Sequence, residues 1–240
     1  MNRALYAAAS GMAAQQQNLD VIASNLANAD VVAFKNAQAL FEPVGPNAML
    51  GTASTGVREI FTQGKLEKSG GPFDVAIDGA GFFVVERDGV QGYTRAGAFA
   101  RAPGGTLRNA DGWTLRGVRV DVNAQRVDVA PNGTVAALAG NGAVSSAGQI
   151  ALAAFAAPEK LRAIDATVFV ATPGSGAARR LVAGGDRQPK IVFGMLEKSN
   201  VSIVESMMAI LAAQRAYEAN SKGVQAADEM LRIANNLHRS

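Results

Sequence analysis

The sequence predicts an α+β fold: long N- and C-terminal helices that pair in a coiled-coil-like helical domain, with a central all-β domain of short strands. Three observations predict it. An apolar seam spaced by three and four residues runs through the first 28 residues. A second long segment with apolar stripes closes the chain. Between them, short alternating runs are cut by Asp-Gly and Asn-Gly dipeptides. The domains expected are an N-terminal helical segment (1–36), an extended connector (37–72), a β-domain (73–185), a return connector (186–198) and a C-terminal helix (199–240).

The first helix is expected from about residue 3 to about residue 28. Leu5, Ala8, Met12, Gln15, Leu19, Ile22 and Leu26 alternate by three and four, and six of the seven are apolar. Gly11 weakens this helix slightly through lost backbone entropy. Its end, "VIASNLANAD", carries Asn25 and Asn28, which are poor interior helix formers beside residues that favour burial. Residues 42–56 read as a flexible or extended connector.

The middle changes texture. "DVAIDGAGFFVV", "VRVDV" and "RVDV" are β-type runs, and Val118 to Val122 alternate strictly. Asp88-Gly89, Asp111-Gly112 and Asn132-Gly133 mark hairpin turns. From Ser199 onward the chain reads as one helix. Ser199 or Asn200 is a plausible cap, and Ser202 with Glu205 has the spacing of a capping box. Ile203, Met207, Ile210, Tyr217, Val224 and Leu231 form one stripe. Val204, Met208 and Leu211, then Met230, Ile233 and Leu237, form another, while Ala212, Ala213 and Ala216 permit close approach of a neighbouring helix. The two helices carry more apolar face than they can bury on each other. At roughly 1.5–3 kcal/mol for each large side chain buried, further partners are expected.

Composition excludes several classes. With 48% hydrophobic and 18% charged residues the chain has material for a core. The net charge is +3, and the isoelectric point near 9.4 raises nucleic acid as a ligand. The charges are dispersed, however. Residues 198–240 hold five basic and four acidic side chains, and Arg179-Arg180 is the only basic pair, so no nucleic-acid partner is expected. There is no cysteine, and the single histidine, His238, lies three residues from the end, where catalytic geometry is not held. No catalytic, cofactor-binding or metal site is therefore expected. Gly79-Ala80-Gly81 does not extend to a nucleotide-binding fingerprint, because position 84 is Val. Asp74, Asp78, Glu86 and Asp88 read as turn and solvent-face residues, Met207-Met208 as core or interface packing, and Trp113 and Tyr93 as packing residues. No run of about 18 apolar residues exists, so membrane insertion is not expected. Nor does the N-terminus resemble a cleavable secretory signal.

Several stretches carry a resemblance. "SGMAAQQQNLDVIASNLANADVVAFK", "QGKLEKSGGPFDVAIDGAGFFVV", "GYTRAGAF" and "LEKSNVSIVESMMAILAAQRAYEANSKGVQAADEML" resemble, in order, the signature blocks of the axial rod and hook proteins of the bacterial flagellum. The C-terminal form "QRAYEANSKGVQAADEML" is most similar to the distal-rod type. Where the family usually has Gly and Thr, this chain has Ala33 and Val31, and its connector after Lys35 is short. The resemblance implies a structural subunit of the basal-body rod. It would self-assemble through Leu5, Met12, Leu19, Ile22, Asn25, Leu26 and Asn28 of the first helix and Ile203, Met207, Ile210, Leu211, Tyr217, Val224 and Leu231 of the last. Implied partners are copies of itself in a helical filament, other rod and hook proteins, the surrounding bushing rings and the flagellar type III export apparatus. The implied location is the periplasmic rod, reached without a cleavable signal peptide. A proximal-rod subunit and a cell-wall-acting enzyme built on the β-domain are the competing readings.

Overall fold

The structure, a computed structural model, describes residues 3–44, 51–140, 142–185 and 188–237, and side chains within that range except at 3–4, 231 and 234–237. His238 and the side chains of Leu231 and Leu237 thus lie outside what is described. The chain forms two compact units. One comprises residues 1–29, 36–60 and 201–240, the other residues 30–35 and 61–200.

The first unit is built on α1 (Arg3–Ala27) and α2 (Ile203–Leu237), which pack against each other. The cap of α2 is Ser202 rather than Ser199 or Asn200: its hydroxyl accepts the Glu205 N–H at 3.3 Å. The fully buried positions of α2 are Ser206, Ala213 and Ala227, separated by seven and fourteen residues, with half-buried Asn220 between. On α1 the buried positions are Ala14, Ile22 and Asn25. Of the seam expected from the sequence only Ile22 is fully buried, while Leu5, Met12, Leu19 and Leu26 are half-buried. Among the described side chains, small residues therefore occupy the buried positions of α2 and one of those of α1. Gly11 has its reason here, since a Cβ at that position would lie 2.9 Å from the Asn220 amide nitrogen.

Part of the segment expected to be a connector is a ribbon on this unit. β1 (Ala37–Pro43) pairs antiparallel with β2 (Thr52–Glu59), with an irregularity between Leu40 and Phe41. Both strands contact α1. The Ser10 hydroxyl accepts the Thr52 N–H at 3.1 Å, tying the start of β2 to the helix.

The second unit is the sheet-rich one. Its largest sheet has twelve strands, and its strand pairs are antiparallel. Two short pairs lie beside it in the same unit: β3 (Leu66–Lys68) with Met195–Glu197, and β4 (Val75–Asp78) with Lys190–Phe193. β5 (Phe82–Arg87) and β6 (Val90–Thr94) meet in a two-residue turn in which Asp88 and Gly89 both have positive φ, 52° and 79°. That is the backbone a primed hairpin turn needs. The alternation read at Val118 to Val122 holds at its start: Val118 and Val120 are buried, Arg119 and Asp121 exposed. The core gathers Ile77, Phe83, Val85, Trp113, Leu115 and Val135. Trp113 is 1% exposed, its indole N–H donates to Asp165 at 2.7 Å, and the Arg87 guanidinium sits 4.4 Å from its ring centroid. Asp74, expected on the solvent face, is buried and accepts the Ser69 hydroxyl.

The block "GYTRAGAF" depends on a close approach. A Cβ at Gly97 would lie 1.6 Å from the Val75 carbonyl oxygen, and the Gly97 carbonyl accepts the Val75 N–H at 3.1 Å. Backbone cannot move aside as a side-chain tip can. Gly97→Ala is expected to cost about 3 kcal/mol or more, whereas Gly70→Ala, with open space around it, is expected to stay within about 0.5 kcal/mol. Urea midpoints of the two variants check this; equal midpoints would refute the close approach.

Candidate assembly surface

α2 presents a row of large apolar side chains to solvent. Val204, Met207, Met208, Leu211, Met230 and Ile233 are each more than half exposed, with Ile203 and Tyr217 at 44% and 40%. Tyr6 of α1 is 55% exposed. Ile210 and Val224 are half-buried. The distribution is inverted relative to an ordinary surface helix: alanine and serine are inside, methionine and leucine outside. Exposed large apolar side chains grouped on one element make it the candidate contact surface of the chain. No helix among the described residues is long and apolar enough to cross a membrane.

The asparagines at the end of α1 act on the first unit itself. Asn25 is 4% exposed, and its amide behaves as a peptide group. Its Oδ1 accepts the Ala37 N–H at 2.8 Å, while its Nδ2 donates to the Ala37 carbonyl and to Asn36 Oδ1, both at 2.7 Å. The first residue of β1, in register with Glu59 of β2, thus has its own N–H and carbonyl paired with a helix side chain. Asn28 donates to the Ser24 carbonyl at 2.8 Å, which serves the helix terminus.

In the second unit a buried ion cluster lies where residues 30–35 meet residues 195–200. Glu197 is fully buried. Its Oε1 accepts the Lys35 ammonium at 2.5 Å and the Gly64 N–H at 2.9 Å. Its Oε2 accepts Arg95 Nε at 2.9 Å and the neighbouring guanidinium nitrogen at 2.8 Å. Arg95 also donates to the carbonyls of Ile77, Gly79 and Gly81, and Lys35 to that of Thr62. The Ala33 N–H reaches the Glu197 carbonyl at 2.8 Å. Ala33 itself sits at φ 56°, so an alanine holds a left-handed turn. Nothing local in the sequence links Lys35, Arg95 and Glu197. Their pairing spans up to 162 residues and leaves no local periodicity to detect. The signal available was a charged residue set among apolar ones, as in Met195-Leu196-Glu197.

Burial holds the Lys35 ammonium below the ordinary lysine pKa; Glu197 opposes that shift and Arg95 adds to it. A lysine whose folded pKa is depressed costs stability while both states are protonated. The cost is relieved as pH rises through the lowered value toward the unfolded one near 10.4. Wild-type stability is therefore expected to gain on Lys35→Met as pH rises in that alkaline window. Parallel pH profiles would show that Lys35 titrates normally. Asn25→Ala strands two backbone groups of Ala37 and is expected to cost about 2–4 kcal/mol. Asn28→Ala is expected to cost under about 1 kcal/mol, both read from the loss of helical signal on unfolding.

Comparison with known proteins follows the same three segments. The family models described as "Flagella basal body rod protein", "Flagellar hook protein FlgE/F/G D1 domain" and "Flagellar basal body rod FlgEFG protein C-terminal" match residues 5–35, 76–137 and 193–237. The chain is 38% identical to the flagellar basal-body rod protein FlgG of Agrobacterium fabrum, over 96% of this chain and 97% of that one. It is 36% identical to the FlgG of Borreliella burgdorferi over the whole of both. Against the flagellar basal-body rod protein FlgF of Caulobacter vibrioides it is 32% identical over 98% and 97%.

Proposed function

The chain belongs to the family of flagellar basal-body rod proteins, and we propose that it is a structural subunit of the distal rod, assembling with copies of itself into a shaft that transmits torque to the hook. The observation that carries the mode of assembly is the exposed apolar row of α2. A surface repeated on every copy that meets a different surface on its neighbour generates an open helical filament. The interface residues of this reading are Ile203, Met207, Ile210, Leu211, Tyr217, Val224 and Leu231 on α2, with Leu5, Met12, Leu19, Ile22, Leu26, Asn25 and Asn28 on α1. Other rod and hook proteins, the surrounding rings and the flagellar export apparatus complete the partners. The periplasmic span of the basal body is the location this reading gives. The role is mechanical, with no catalytic step.

Leu211 is 57% exposed, so Leu211→Asp is expected to leave the stability of the isolated subunit within about 0.5 kcal/mol. The same change is expected to abolish polymerisation, read by sedimentation and electron microscopy of the purified chain. Filaments of normal yield would remove α2 from the interface. Quantitative mass spectrometry of purified hook–basal bodies tests the function as a whole: the chain should be present at many copies relative to the hook subunit, and its absence from preparations that contain rods would reject the reading.

A further inference from the structure

The segment 30–35 buries Ala33, Phe34 and Lys35 in its unit. Among the described residues, its hydrogen bonds to the rest of that unit run to Thr62, Glu197 and Asn200: the Lys35 ammonium to the Thr62 carbonyl and the Glu197 carboxylate, the Ala33 N–H to the Glu197 carbonyl, and the Phe34 carbonyl to the Asn200 N–H. Two of the three anchors thus lie in residues 195–200. The cluster holds two cations and one carboxylate, all nearly inaccessible to water. Remove the carboxylate and the cations fare differently. Arg95 keeps three carbonyl acceptors, whereas Lys35 keeps one. An ammonium with a single acceptor and a guanidinium as neighbour is strongly disfavoured out of water. The lysine, and the segment that carries it, is what leaves.

We propose that Glu197 is a positioning residue that makes the docking of residues 30–35 conditional on the docking of residues 195–200, so that the stretches continuing into α1 and α2 are fixed together or not at all. The inference concerns the subunit alone and stands whether or not it polymerises. The carboxylate is the coupling element, because one oxygen serves each cation. An isosteric amide cannot replace it. Its NH2 would turn a donor toward either Lys35 or Arg95, both of which only donate.

Hydrogen exchange on the full-length chain tests this. In Glu197→Gln the Ala33 amide is expected to exchange on the order of 100-fold faster, while amides of β5 and β6 change less than about threefold. In the double variant K35M/E197Q, where no ammonium is stranded, Ala33 protection is expected to return to within about tenfold of wild type. Unchanged protection at Ala33 in E197Q would overturn the proposal. So would equal acceleration in β5 and β6, which would make Glu197 an ordinary core residue, and so would additive loss in the double variant. If E197Q does not fold, the double variant decides alone: folded with Ala33 protected supports the coupling, unfolded overturns it.

Discussion

A single carboxylate constrains the sheet-rich unit more than any patch of its hydrophobic core. Glu197 accepts hydrogen bonds from Lys35, Gly64 and Arg95, and its backbone carbonyl accepts from Ala33. Segments separated by as many as 162 residues converge on it. Buried ion clusters of this kind add little net stability, because desolvation cancels most of the Coulombic gain. What they supply is intolerance of alternatives. An apolar core accepts repacking with side chains of similar volume at modest cost, whereas a fully buried carboxylate accepts only the arrangement that brings both cations to it.

The same division between adhesion and selection appears in the helical unit. α2 buries Ser206, Ala213 and Ala227 and exposes Met207, Met208 and Leu211. Asn25 then supplies what small apolar side chains cannot, a directional contact that fixes where β1 begins against α1. The large side chains stay free for contacts outside the chain, which suits a member of the flagellar rod family.

Much of this was legible in the sequence because the signals are local. The Asp88-Gly89 turn is dictated by two adjacent residues that tolerate positive φ. The helix limits follow from apolar spacing and from Ser202 three residues before Glu205. Burial on α2 falls on Ser206, Ala213 and Ala227, small residues whose spacing makes no apolar stripe, so apolar periodicity offers no signal for it. The ribbon of β1 and β2 was read as a connector because its strands are half exposed and carry little alternation. The Glu197 cluster is not legible as a cluster: its members are joined by tertiary folding alone, and the one local signal, a charge beside Met195 and Leu196, names no partner. Ala33 shows the reverse case. Its residue type argued against a left-handed turn, and the bond from its N–H to Glu197 accompanies that turn regardless.

The seam of small residues between α1 and α2 has a consequence for elasticity. Side chains such as leucine and methionine yield under load by changing rotamer, and a contact built from them is compliant. Alanine and glycine have no rotamers to change. At buried Ala14, Ala213 and Ala227, and at Gly11 beside the Asn220 side chain, there is little that can rearrange. In the assembly proposed above, bending or twisting would fall on the contacts between copies, for which the exposed methionines of α2 are adaptable enough.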